Sequence, residues 1–278
     1  MKPLILNAEY LINPNTLPDL DKHYEIHFTR FGKNQKPGGE VQFYSDAPIR
    51  VFVNSNEPST SAWVEQAEHV IQNQHHYTKI ITSNQIILNQ CSNAVKMPYG
   101  TTWLNKSPHH TDSIGVFTED LGTIKKENSV SMVCGSLTGK HGYHIRHLIW
   151  YNQNKIDAQL RFYSSTRFPI FGATILPDDN KIHLFNSMYS VVVESSSELN
   201  YFTEKLIDCL ITKTIPIYWG CPNISEYFDT SYWISAEDIL DKKYTEEYYY
   251  NNIDKINANY EKAKQYCKPL LERILNVI

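Results

Sequence analysis

The chain has 278 residues, 26 Lys and Arg against 30 Asp and Glu, and a formal net charge of −4, so it lacks the basic footprint of a nucleic-acid-binding domain. No run reaches the roughly 18 apolar residues that a membrane span needs, and the short apolar patch in MKPLILNAEYLINPN is too brief for a signal anchor. The five cysteines, Cys91, Cys134, Cys209, Cys221 and Cys267, are odd in number and include no C-x-x-C pair, which suits free thiols in a reducing, cytoplasmic setting better than a disulfide framework.

In chain order, residues 3–7 (PLILN) and the alternating run 24–31 (YEIHFTRF) read as strands. The Gly- and Pro-bearing stretch 33–40 is a loop. Residues 49–53 (IRVFV) form a β-rich run that ends in NSNEPS. Residues 61–73 carry Trp63, Ala67, Val70 and Ile71 on one helical face, and TKIIT and VKMPYG continue as strands. Between residues 112 and 128 polar and glycine residues take over, which places a domain boundary there: residues 1–120 form one domain and 121–278 the next, terminal helices included. SVSMVCG at 129–135 reads as a new buried strand, followed by a loop and a helix from about Tyr143. QLRFY is a strand, and 180–188 is a helix or an irregular turn. The polar, tyrosine-rich end, 246–277, reads as helices interrupted at Pro269.

The most informative stretch is 189–222, YSVVVESSSELNYFTEKLIDCLITKTIPIYWGCP. Val191, Val192 and Val193 suit a strand buried on both faces. Glu194 and three serines follow, then a helix over 201–212 with Leu206, Leu210 and Ile211 at helical spacing, then a strand at 215–219. Strand, polar loop, helix and strand make a βαβ unit and imply a parallel sheet. Ligands of such sheets sit beyond the carboxyl ends of the strands. A helix start with a mobile lysine, Lys205, suits a phosphate. An ordinary exposed Glu–Lys pair is the structural alternative.

The run E-S-S-S-E-L-N-Y-F-T-E-K-L, then T-I-P-I-Y-W-G-C-P-N-I, resembles the donor-binding signature of the α1,3-fucosyltransferase family (GT10-like): roughly E-N-S, a spacer, Y-x-T-E-K, then G-T-x-P-V/I-x-x-G-x-P-N. Ser195 stands where the family carries Asn. The resemblance implies an α/β fold of the GT-B kind, with two Rossmann-like doubly wound domains facing a cleft. In that arrangement the N-terminal half takes the acceptor and the C-terminal half the nucleotide sugar. It implies GDP-fucose as donor, with a UDP-sugar such as UDP-xylose left open by Ser195, and an oligosaccharide or glycan as acceptor.

Transfer from a nucleotide sugar needs a base for the acceptor hydroxyl and positive charge for the departing diphosphate. Glu57, in V-F-V-N-S-N-E-P-S, matches the position of the family's acidic motif, whose carboxylate is the proposed base; capping of the next helix is its structural alternative. Arg146, at a loop-to-helix junction, and Lys205 are implied to hold the diphosphate, Arg146 through its bidentate fork and Lys205 as a point charge. Lys140, Gly139 and Gly142 are candidates to assist. The family match gives Glu194 and Glu204 to ribose and sugar contacts and Tyr201 to stacking on or bonding the nucleotide, with Ser195 a donor-binding candidate by its place in the motif, while Thr203 caps the helix. Asp178, Asp179 and Asn180 look like the metal clamp of another glycosyltransferase class. His141, His144 and His147 could be imagined on zinc, but structural zinc wants four ligands, usually with cysteine. The expectation is a metal-independent, inverting enzyme with no cofactor. A binding relative that has lost catalysis is the rival of another class.

Overall fold

A computed structural model describes residues 1–6, 19–28, 44–54, 58, 61–98, 100–104 and 120–278. The chain forms two α/β units, one from Met1–Tyr99, Leu199–Tyr201 and Leu270–Ile278, the other from Gly100–Glu198 and Phe202–Pro269.

The first unit holds five strands: β1 (Leu4–Leu6), β2 (Tyr24–Phe28), β3 (Ile49–Val53), β4 (Lys79–Thr82) and β5 (Ala94–Lys96). They are all parallel and lie side by side in chain order. Helix α1 (Ser61–Gln72) links β3 to β4, and α2 (Gln85–Gln90) links β4 to β5. Alternation along the strands sends side chains to opposite faces. Phe52 and Ile80 meet Ala67, Val70 and Ile87 on one face. Val51, Val53 and Ile81 meet Leu271 and Ile274 on the other. Burial on both faces explains why these strands read as near-continuous apolar runs.

Leu271 and Ile274 belong to α7 (Leu270–Leu275), which the sequence reading assigned to the second domain with the other terminal helices. It packs on the first unit instead. The chain passes Pro269, starts a new helix, and buries an i, i+3 pair against the sheet, worth about 2 kcal/mol for each side chain. Arg273 adds a hydrogen bond of 2.9 Å to the carbonyl of Pro98. The division into units falls between Tyr99 and Gly100, whereas the composition change at 112–128 lies largely outside the described residues.

The second unit holds β6 (Glu127–Cys134), β7 (Leu160–Ser164), β8 (Ser187–Val193), β9 (Ile215–Trp219) and β10 (Ile234–Ser235), with helices α3 (His141–Tyr151), α4 (Glu204–Leu210), α5 (Glu246–Asn251) and α6 (Ile253–Lys264). All strand pairs are parallel, in the order β10-β9-β8-β6-β7. The sheet therefore starts at β6, runs outward to β7, then reverses and builds β8, β9 and β10 on the other side. Helices cover both faces: Val193 packs in the cluster that contains Ile145, Ile149 and Trp150 of α3, and Val192 in the cluster that contains Leu206, Ile207 and Leu210 of α4. Residues 181–184 form a short 3-10 turn before β8. Helix α4 starts at Glu204, three residues later than its apolar period suggests, because the Thr203 side chain caps it by accepting from the N–H of Lys205.

Candidate functional site

A reversal of strand order opens a crevice at the carboxyl ends of the two strands that flank it, here β6 and β8. The chain after β8 is Glu194, whose N–H donates to the carbonyl of Trp219 at 2.9 Å. The start of α3 closes on it. The N–H of Gly142 donates to the carbonyl of Ser195 at 3.2 Å, and a Cβ on Gly142 would come within 1.8 Å of the Glu194 carbonyl oxygen. A glycine is the one residue that permits this approach.

One turn further along α3, Arg146 donates from Nε and Nη2 to the carbonyl of Val193, at 3.1 and 2.8 Å. Its guanidinium lies 5.1 Å from the centre of the Tyr143 ring. Lys205, on the first turn of α4, donates from Nζ to Glu194 Oε2 at 3.3 Å and to Thr203 Oγ1 at 2.9 Å. Arg146 and Lys205, 59 positions apart in the sequence, thus anchor on consecutive residues, Val193 and Glu194, at the end of β8. Of the residues singled out in the sequence, these two cations reach consecutive residues at the carboxyl end of one strand, from helices packed in different core clusters.

Glu194 is fully buried. Its carboxylate accepts from the N–H of Thr203 at 2.8 Å, from Thr203 Oγ1 at 2.8 and 3.1 Å, and from Lys205. Expected at a ribose or sugar hydroxyl, it instead closes its own loop by binding the far end of it. Glu204 is also buried, 3.0 Å from Lys181 Nζ and 3.6 Å from Lys205 Nζ. Burial works to raise the Glu204 carboxyl, but the two lysines outweigh it and hold the group far below the usual carboxylate range. Ser195 is buried and meets α3 through its carbonyl. The hydroxyl of Ser196 is buried and makes no hydrogen bond. Tyr201, expected on the nucleotide, is 2% exposed and groups with the first unit. Glu57 lies outside the described residues.

Two members of this neighbourhood have no counterpart in the sequence reading. Asp208 is fully buried on α4, one turn beyond Glu204. Its Oδ1 accepts from Thr102 Oγ1 at 2.7 Å and from the N–H of Trp103 at 2.9 Å. Burial pushes its carboxyl up to about 6. Lys181 Nζ lies 3.7 Å from Asp208 Oδ2 and 5.0 Å above the Trp103 ring. The i, i+4 spacing of Glu204 and Asp208 was visible as one helix face; the lysine that meets both lies 23 residues upstream of Glu204.

The other candidates are ordinary surface. Asp178 and Asp179 are exposed turn residues with φ of 52° each, and Asp179 accepts from Thr166 Oγ1 at 2.5 Å. His147 bonds the carbonyl of Gly135 at 2.8 Å. Among the described residues no group of three or more His, Cys, Asp and Glu side chains is placed to hold a metal ion. Gly139 has a φ of +91° and open space around it. None of the five cysteines is in a disulfide, and among the described residues no helix is long and apolar enough to cross a membrane.

No family model matches the chain. Over 90 residues it is 30% identical to the α-(1,3)-fucosyltransferase FucT of Helicobacter pylori. Over that stretch the sequence is similar to an α1,3-fucosyltransferase. That match covers 32% of this chain and 17% of the relative's length. Among solved structures, an α1,3-fucosyltransferase with GDP aligns over 88% of this chain and 78% of its own, with 17% identity and a TM-score of 0.46. An α1,3-fucosyltransferase with GDP-fucose aligns over 88% of this chain and 70% of its own, with 18% identity and a TM-score of 0.42.

Proposed function

We propose that this fucosyltransferase-like chain is an inverting glycosyltransferase that moves a sugar, fucose from GDP-fucose as first choice, onto a glycan hydroxyl. The observation that carries the reading is the anchoring of Arg146 and Lys205 on consecutive residues at the end of β8, where the strand order reverses. Two cations at that place suit a diphosphate. The signature around them resembles that of transferases that use nucleotide sugars.

In the reaction, Glu57 takes the proton of the acceptor hydroxyl. The freed oxygen attacks the anomeric carbon from the face opposite the leaving group, and the bond from that carbon to the diphosphate oxygen breaks. The nucleoside diphosphate leaves with its charge balanced by Arg146 and Lys205. These side chains supply the positive charge that a divalent ion supplies elsewhere, so no metal or other cofactor takes part. The assignment of Glu57 rests on the sequence alone. Glu194, Thr203 and Glu204 act by holding Lys205 in place. Five cysteines without disulfides suit a cytoplasmic enzyme. Ser195, in place of the family's asparagine, leaves room for another donor, a UDP-sugar such as UDP-xylose.

The test is a panel of nucleotide sugars with glycan acceptors, in EDTA, on the wild type and on Lys205→Ala, Arg146→Ala and Glu57→Gln. The expected outcome is turnover in EDTA with GDP-fucose. Each variant should lose about 100-fold or more in kcat/KM, and Glu57→Gln should still bind GDP. Stabilisation by neither GDP nor UDP sinks the donor site; GDP binding without turnover on any acceptor makes the chain a binder.

A further inference from the structure

Helix α3 begins beside the carboxyl end of β9. His141, the first residue of α3, is exposed. Its ring centre lies 5.1 Å from that of Trp219, the last residue of β9, with the two planes at 51°. Trp219 is half-buried and packs against the core cluster that holds Ile145 and Ile217. Its carbonyl accepts from the N–H of Glu194, and the carbonyl of Gly220, the next residue, accepts from Ser197 Oγ at 2.8 Å. The segment 194–197 that leaves β8 is thus fastened to the end of β9, where the two rings meet.

Most of the other polar and aromatic side chains here are already engaged. Tyr143 has Lys140 5.9 Å and Arg146 5.1 Å from its ring centre. His147 bonds the carbonyl of Gly135, and Lys205 is ion-paired with Glu194 and Glu204. His141 and Trp219, among the described residues, have ring contacts alone: with each other, and between His141 and His144 at 6.4 Å. They present flat faces, with polar edges, at the carboxyl end of the sheet.

We propose that His141 and Trp219 form the stacking platform for the nucleobase of the donor, and that they favour a purine. The inference rests on the donor-site reading above, in which the diphosphate lies at the end of β8, but it asks nothing of the charge of Lys205. A neutral base can lie offset on one ring and meet the other edge-on, the two arrangements that aromatic rings prefer. Stacking accepts any base, because each has a π-face. A two-ring purine covers more of the platform than a one-ring pyrimidine, so the pair contributes to the choice between GDP and UDP donors.

The experiment is calorimetric titration of GDP, UDP and inorganic pyrophosphate into the wild type, His141→Ala and His141→Phe. The wild type should bind GDP more tightly than UDP. His141→Ala should weaken GDP about 10-fold, UDP by less, and leave pyrophosphate within about 2-fold. His141→Phe, which restores a flat ring, should stay within about 3-fold of the wild type for GDP. Unchanged GDP affinity in His141→Ala overturns the inference. An equal loss for GDP and pyrophosphate also overturns it, since that marks a disturbed α3, and so does a Phe variant as weak as the Ala variant. UDP bound as tightly as GDP overturns the purine preference. A wild type that binds pyrophosphate but not GDP overturns the platform and keeps the diphosphate site, whereas one that binds neither overturns the donor reading and the platform with it.

Discussion

The two units use the same parts in different order, and each buries a carboxylate. The first unit lays its strands down in chain order. Its buried acid, Glu25, is held by the N–H groups of Tyr44 and Ser45 at 2.9 and 3.0 Å, the Ser45 hydroxyl at 2.6 Å and His27 at 2.8 Å. The second unit reverses its order between β6 and β8. One of its buried acids, Glu194, sits at that reversal, and one of its donors is a lysine that reaches solvent. Glu25 ties a strand to the segment beside it, whereas Glu194 holds a cation at the surface. Burial of an acid is thus not the mark of a site; what distinguishes Glu194 is the partner that keeps one side open and the strand topology around it.

The contrast can be broken hardest at Gly142. Alanine there drives a Cβ into the Glu194 carbonyl, and backbone on both sides leaves no cheap escape. We expect a loss of about 4 kcal/mol or more in stability, at the upper end for one substitution, together with loss of GDP binding, read by denaturant unfolding and calorimetry. A Gly142→Ala protein with wild-type stability and GDP affinity means that α3 does not close on β8 as described. A smaller effect separates the units. Ile274→Ala should cost about 3 kcal/mol by opening a cavity under α7, while the folded protein keeps its GDP affinity; a large drop in affinity there would show that the first unit's core supports the donor site.

The smallest effect tests the burial of Asp208. Asp208 holds its proton more tightly folded than unfolded, where a carboxyl sits near its ordinary 3.8. The folded state therefore keeps this contribution below that value and loses it as pH rises through about 6. Asp208→Asn should stabilise the protein by about 1–2 kcal/mol at pH 7.5 and lose that advantage near pH 4, measured as Tm across pH. An Asn variant less stable at pH 7.5 than at pH 4, relative to the wild type, reverses the sign and removes the argument.

Much of the second unit was legible in the sequence. Val191–Val193 read as a strand covered on both faces, and Thr203 stood where a cap belongs. The rest was hidden for physical reasons. Strand order depends on which edges pair, and no local pattern encodes it. Leu271 and Ile274 declare an apolar stripe without saying which sheet it covers. Glu194 looked like a ligand contact because a carboxylate at a strand end reads the same whether it faces solvent or folds back onto Thr203. Lys181 is local in space and remote in sequence, so its pairing with Glu204 and Asp208 emerges only from the fold.

The way Glu194 fastens the N–H and hydroxyl of Thr203 has a consequence for ligand affinity. The stretch of eight residues between them is tethered at both ends by one side chain. Its shape is set when the polypeptide folds, so the entropy of ordering it is not subtracted again when a nucleotide arrives. A rigid cradle of this kind predicts fast, unassisted capture of the diphosphate, with little rearrangement at the end of β8.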